Sequence, residues 1–241
     1  MAATQCVAGL VVSLVAAVTT SSTYGDPSVE LAAVLQAVPT VTTQVVIVHA
    51  PIAATTWAML ETFEKVDGAW QRVFPAMVAR IGTDGFSDHH RESVPFTPTG
   101  VYGFGPTVYG VQPDPGTRYP YHQLVEGDWW NANPTSLGYN TFQHGTDPGG
   151  ASEALWQTTP QYDYFAFITY NVPPVPAAGS AIFLHVNGSG DTSGCVTLAR
   201  PDLLRVLRWL DPTQTPRIVL GPDDELAQVA ERWGSSAERT Q

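Results

Sequence analysis

Glycine and proline cut this chain into short segments, 21 of the first and 20 of the second among 241 residues. The apolar runs between these breaks are rich in β-branched and aromatic residues, a pattern that suits strands and rules out an α-helical bundle. Val41 to His49, Tyr164 to Tyr170, Ala181 to His185 and Arg217 to Leu220 read as core strands. Thr55 to Lys65 and Trp70 to Phe74 flank Asp67-Gly68, a pair that supplies the positive φ angles of a tight hairpin turn. Ala76 to Ile81 follows as a further strand, and Val101 to Phe104 resumes extended structure after a loop punctuated by Gly82, Gly85, Pro95, Pro98 and Gly100.

Gly105 to Pro160 has no sustained period and reads as long loops wrapped over the sheet. Pro201 to Leu210 is the clearest helix: Pro201 suits a first-turn position, Asp202 complements the N-terminal dipole, and Leu203, Val206, Leu207 and Leu210 share one face. Weaker helical patterns lie in Asp26 to Pro39 and Pro222 to Trp233. The expected fold class is mainly β, with one or two short helices and long ordered loops.

The 22 acidic and 11 basic side chains give a net charge of −11, and no basic stripe is present to neutralise phosphates. Nucleic acid is excluded as a partner on that ground. Val7 to Val18 is an uncharged apolar run ahead of a Thr/Ser/Gly stretch. It has the size of a signal-peptide core and is too short to span a bilayer. The expected division is a signal peptide over 1–25, a linker over 26–40, one catalytic domain over 41–221, and a C-terminal helix or tail over 222–241. The mature protein is expected in the cell envelope or outside the cell, with no stable membrane insertion. Loss of the leader removes Cys6 and leaves Cys195 as a lone thiol in an oxidising compartment, where it has no internal disulfide partner.

The strand ending at His185 runs through Val186-Asn187-Gly188-Ser189-Gly190-Asp191 into Thr192-Ser193-Gly194-Cys195-Val196. A returning loop of this kind brings an imidazole back beside a thiol, and the thiolate is the reactive form of cysteine. Gly194 has no β-carbon to obstruct a substrate, and its N–H and that of Cys195 are candidate oxyanion donors. Thr192 and Ser193 carry hydroxyls suited either to positioning the thiol or oxyanion or to satisfying turn backbone groups. A lone cysteine is more often a small buried hydrophobe than a nucleophile. The Ser-Gly before it, the nearby histidine and the exported context shift the reading toward chemistry.

These segments, with the Pro201 to Leu210 helix and the Arg217 to Leu220 strand, resemble the L,D-transpeptidase catalytic domain, the YkuD-like family. Ala79-Arg80-Ile81-Gly82, Gly85, Arg91-Glu92 and Thr97-Pro98-Thr99-Gly100 resemble that family's early strand and TP-x-G turn. Asp128-Trp129-Trp130 and Tyr139-Asn140 resemble an actinobacterial branch of it, and the whole resemblance covers roughly Val41 to Gly221. It implies a β-sandwich-like domain in which Cys195 is the nucleophile, His185 its base, and the Val186 carbonyl the group that orients the histidine. Three positions depart from the common pattern: Ser193 stands where many members have His, Thr197 where Arg is frequent, and the loop from His185 to Cys195 is short.

The implied reaction is a two-step acyl exchange on peptidoglycan stem peptides through a cysteinyl thioester, without metal or organic cofactor. An L,D-carboxypeptidase on the same scaffold and a catalytically silent wall-binding module are the alternatives. Trp129, Trp130, Tyr139 and Asn140 are candidate groove residues, and Arg91 and Arg118 have guanidinium groups of the kind that bind carboxylates. His49, His89, His90, His122 and His144 lack compact metal-ligand spacing, so no metal site is expected.

Overall fold

A computed structural model describes residues 29–237; the expected signal peptide and Cys6 lie outside the described residues. In chain order the elements are α1 (Val29–Ala37), β1 (Gln44–Ala50), β2 (Trp57–Val66), β3 (Ala69–Arg72), β4 (Met77–Arg80), β5 (Phe86–Ser87), β6 (Thr97–Pro98), β7 (Gly100–Tyr102), β8 (Phe104–Gly110) and β9 (Tyr121–Gln123). They continue with β10 (Asp128–Asn131), β11 (Thr141–His144), β12 (Glu153–Ala154), β13 (Phe165–Ile168), β14 (Phe183–Val186), β15 (Val196–Leu198), α2 (Arg200–Trp209), β16 (Arg217–Pro222) and α3 (Leu226–Ala237). The described residues are mainly β, with three α-helices among them where one or two were expected.

The principal sheet runs β7-β16-β1-β2-β4-β15-β14-β13-β8-β9, with β3 added to β2. Its strands alternate between two interiors. Val46, Val48, Leu184, Val186, Ile218 and Leu220 face a large core closed by Leu203, Val206, Leu207 and Leu210 of the α2 region. Val45, Ile47 and Val219 face a second cluster closed by Leu31, Val34 and Leu35 of α1 and by Leu226, Val229 and Ala230 of α3. A strand covered on both faces needs apolar residues at every position, which is why β1 is a continuous Val/Ile run. The segments expected as linker and tail thus contribute helices that pack on each other and on the sheet.

The Asp67-Gly68 hairpin forms as expected, with φ of 50° and 83° at the two turn residues and β2 and β3 paired from Val66–Ala69 outward. The loop expectation for 105–160 is corrected: β8 to β12 lie in or overlap it, and β10, β11 and β12 form a sheet of their own in the order β11-β10-β12. These strands escape sequence reading because most are two to four residues long, too short to establish a period. β8 is longer but contains the exposed Pro106, where its pairing to β13 is irregular. Under the small sheet lies a third, largely aromatic cluster including Tyr109, Trp130, Tyr162, Phe165, Phe167 and Phe183. No described helix is long and apolar enough to cross a membrane.

Leu184 is fully buried in the largest core cluster. Leu184→Ala is expected to lower unfolding free energy by about 2–5 kcal/mol, measured as the shift of a urea-unfolding midpoint at unchanged slope.

Candidate active site

β14 and β15 pair in parallel, with Leu184 opposite Val196, His185 opposite Thr197 and Val186 opposite Leu198. Because strand side chains alternate between faces, Leu184, Val186, Val196 and Leu198 all enter the large core. His185, Thr197 and Cys195 therefore share the opposite face, with Cys195 one step beyond the ladder, beside Phe183. The Phe183 N–H donates to Cys195 Sγ at 3.3 Å, and the thiol donates to the Ala181 carbonyl at 3.3 Å. Imidazole and thiol line one cavity of about 560 Å³.

His185 Nδ1 lies 2.8 Å from the Val186 carbonyl oxygen. A carbonyl only accepts, so Nδ1 carries the proton and Nε2 of the neutral ring is left with its lone pair. The ring is packed edge-on against Tyr162, 5.6 Å between centroids.

The turn that carries the thiol is tied from outside its own strand. Thr97 Oγ1 accepts from the Gly82 N–H at 2.8 Å and donates to the Gly194 carbonyl at 2.9 Å, so one buried hydroxyl joins the end of β4, the TP-x-G segment and the peptide before Cys195. Gly194 has a φ of 136°, and a β-carbon there would come within 2.8 Å of the Phe96 carbonyl oxygen. A β-carbon at Gly82 would come within 2.3 Å of the Pro95 carbonyl oxygen. Both positions thus require glycine. Thr192 Oγ1 accepts from the Gly194 N–H at 3.1 Å and donates to the Cys195 carbonyl at 2.7 Å, which is the turn-satisfying role of its hydroxyl. The Gly194 N–H, one of two expected oxyanion donors, is therefore already engaged.

The short loop between the two strands is held by the same edge of β4. Arg80 Nη1 donates to Asp191 Oδ1 at 2.6 Å, the Thr83 N–H donates to the Thr192 carbonyl at 2.9 Å, and the Thr192 N–H donates to the Ile81 carbonyl at 3.2 Å. Ser193 is exposed at the tip of the turn, and Thr197 Oγ1 donates to Asn187 Oδ1 at 3.2 Å.

Both reactive groups rest uncharged. Burial pushes the Cys195 thiol up to about 12, the Glu153 charge adds to the effect, and the Phe183 N–H only partly opposes it. Burial lowers the His185 imidazole to about 4 against the bond to Val186. Glu153 and Tyr162 line the same cavity, and the Tyr162 hydroxyl donates to Glu153 Oε2. Burial raises the Glu153 carboxyl despite that bond, and the nearby Glu92 charge raises it further.

Of the other expected site residues, Arg91 is exposed and lines the cavity. Trp130, Tyr139 and Asn140 are buried and brace the framework, away from the cavity wall. Trp130 Nε1 donates to Asn140 Oδ1 at 3.1 Å, Asn140 Nδ2 donates to the Tyr170 carbonyl at 3.0 Å, and the Tyr139 hydroxyl donates to Glu92. Trp129 is half-buried against Trp156, with its Nε1 donating to the Gly145 carbonyl at 3.1 Å. Arg118 pairs with Asp211 at 3.2 Å, away from the cavity. His122 and His144 each bond the buried Asp128 at 2.8 Å. Burial works to raise the Asp128 carboxyl, but the Val125 N–H and the two imidazoles hold it below its ordinary value. Among the described residues no cluster of three or more His, Cys, Asp or Glu side chains is arranged to hold a metal.

Sequence reading missed Glu153, Tyr162 and the role of the Thr97 hydroxyl. No motif flags the first two, since they reach the cavity from the small sheet and from a single helical turn before β13.

A family model described as YkuD, L,D-transpeptidase catalytic domain, matches residues 64–219. No curated protein matches. Solved structures resembling the chain include the helical cell shape determining protein Pgp2 of Campylobacter jejuni as a K307A mutant, at 14% identity and TM-score 0.38, covering 81% of this chain and 54% of that one. A second structure of Pgp2 matches at 13% identity and TM-score 0.38, with 84% and 59% coverage. L,D-transpeptidase 1 of Mycobacterium tuberculosis matches at 14% identity and TM-score 0.29, with 73% and 62% coverage. The chain thus spans less than two thirds of the length of each.

Thr97→Val is expected to strand the Gly82 N–H and the Gly194 carbonyl, costing about 1–3 kcal/mol and slowing modification of Cys195, whereas Thr97→Ser restores both; thermal melts and thiol-labelling rates report the two effects. With thiol and imidazole both neutral, iodoacetamide labelling of Cys195 is expected to climb about tenfold per pH unit through the alkaline range, as the thiolate fraction does below its pKa. A rate plateau between about pH 5 and 8, the mark of a thiolate–imidazolium pair, would contradict this charge assignment.

Proposed function

The chain belongs to the L,D-transpeptidase catalytic domain family, and from that premise we propose that it is a peptidoglycan L,D-transpeptidase of the cell envelope, exported by its N-terminal segment and acting through a thioester on Cys195. The observation that carries this reading is the placement of His185, on β14, and Cys195, directly before β15, on one face and in a single cavity, with the Val186 carbonyl fixing which ring nitrogen is free.

His185 Nε2 takes the proton from Cys195 Sγ, and the sulfur attacks the carbonyl of the stem-peptide bond. The tetrahedral oxyanion is assigned to the Cys195 N–H, since that of Gly194 is held by Thr192. Collapse breaks the C–N bond, and the departing amine takes the proton from the imidazolium. An amine of a second stem peptide then attacks the thioester, gives up its proton through His185 to the sulfur, and leaves a new peptide bond and the free thiol. Attack by water in that last step would make the protein an L,D-carboxypeptidase.

The thiol's resting bond to the Ala181 carbonyl must be exchanged for one to His185 as substrate enters. Incubation of the full chain with a carbapenem, and separately with a stem tetrapeptide, is expected to give an acyl adduct on Cys195 by mass spectrometry that is absent from Cys195→Ala. Cross-linked product formed only with an acceptor amine supports transfer, and a trimmed peptide alone supports hydrolysis. Folded protein that forms no adduct would instead match a silent wall-binding module.

A further inference from the structure

The cavity that holds Cys195 and His185 has an acidic wall. Glu92 and Glu153 both line it, with the Tyr139 hydroxyl donating to Glu92 and the Tyr162 hydroxyl donating to Glu153. A third carboxylate on the cavity, Asp191, is already matched by Arg80. Among the described residues neither Glu92 nor Glu153 has an ion-pair partner, although the Glu92 charge raises the Glu153 carboxyl and Glu153 opposes ionisation of Cys195. A carboxylate withdrawn from water beside a second carboxylate is costly unless a cation joins it. Tyrosine hydroxyls satisfy its hydrogen bonding but bring no positive charge.

We infer that Glu153, backed by Glu92, is the specificity-determining carboxylate of this cavity and takes a free primary ammonium on the side chain of the donor peptide. The inference rests on the reading of Cys195 as the acyl-accepting thiol. The ammonium is assigned to the donor because an amine held protonated by a carboxylate has no lone pair for attack, so this group is a handle and not the acceptor nucleophile. Its arrival also places a positive charge against the one acidic residue that disfavours the Cys195 thiolate. Donor recognition and thiol activation are thereby coupled through one carboxylate.

Glu153→Gln tests the assignment, since the amide oxygen still accepts from the Tyr162 hydroxyl while the charge is gone. The substrate measurement compares kcat/KM for a tetrapeptide with lysine as its third residue and for the same peptide acetylated on the lysine Nζ. The native chain is expected to favour the free ammonium by about tenfold or more, as for a lost charged hydrogen bond. That ratio should fall toward one in Glu153→Gln and be partly kept in Glu153→Asp. A native chain indifferent to acetylation, or a preference that survives Glu153→Gln, overturns the proposal.

A second measurement does not need acyl transfer. Cys195 is labelled with an ammonium-bearing methanethiosulfonate and with its neutral methyl analogue, each thiolate attack expelling sulfinate and leaving a mixed disulfide. The ratio of the two rates should drop several-fold in Glu153→Gln, the neutral reagent serving as reference within each protein. An unchanged ratio overturns the acidic subsite whatever the peptides do. A changed ratio in a chain that accepts no acyl group from carbapenem or peptide would support the ammonium site while removing the transpeptidase reading on which its substrate assignment rests.

Discussion

The site depends on two strands running side by side in the same direction with only a short loop to connect them. Parallel neighbours ordinarily need a crossover of a dozen or more residues, commonly with a helix, yet here residues 187–195 make the return from β14 to β15. A loop this tight carries little structure of its own. It is stabilised instead by the end of β4, where Arg80, Ile81 and Thr83 take up Asp191 and Thr192. With the loop clasped in this way, register sets the chemistry: a slip of one residue would turn either the thiol or the imidazole from the cavity into the large core.

The electrostatics follow from the same burial. A half-buried thiol and a buried imidazole packed against aromatic side chains are cheapest as neutral groups, because each charged form would forfeit hydration. The depressed imidazole and raised thiol are one consequence seen from two sides. Neutrality also preserves the directionality that Val186 imposes on His185, since a doubly protonated ring would have no lone pair on Nε2. On the proposed reading, nucleophile formation is then a proton transfer that occurs in the presence of substrate, whose oxyanion and departing amine are available to share the charge.

Much of this was legible in the sequence, and the reasons differ by region. Val45 to Val48, Phe165 to Ile168 and Ile218 to Leu220 announce strands covered on both sides because each successive residue must be apolar. Asp67-Gly68 announces its hairpin by backbone chemistry alone. The placing of Cys195 and His185 on one cavity was legible through the strand-loop pattern and the family resemblance, and the resemblance also pointed to the Val186 carbonyl that His185 bonds. The second sheet was not, because pairs such as Trp129–Ala154 and Trp130–Glu153 join residues distant in sequence through strands too short to show alternation. Trp130, Tyr139 and Asn140 drew attention as a groove because aromatic and amide side chains serve ligands and cores alike. Their burial, and the bonds from Asn140 to the Tyr170 carbonyl and from the Ala181 N–H to Asn140, place them in the support of the strand that carries His185.

Thr97 explains why motifs far apart in sequence occur together. Its hydroxyl has one proton to give and lone pairs to receive with, and it uses both on backbone groups that would otherwise be buried without partners, Gly82 N–H and Gly194 C=O. The glycines at those two positions are required by the close approach of the Pro95 and Phe96 carbonyls. Thr97, Gly82 and Gly194 are thus a single device, and loss of any one disturbs the other two. The device fixes the main chain on either side of the thiol without touching sulfur. On the proposed reading, activation at this site is therefore a matter of side-chain and proton movement on a backbone that is already in place.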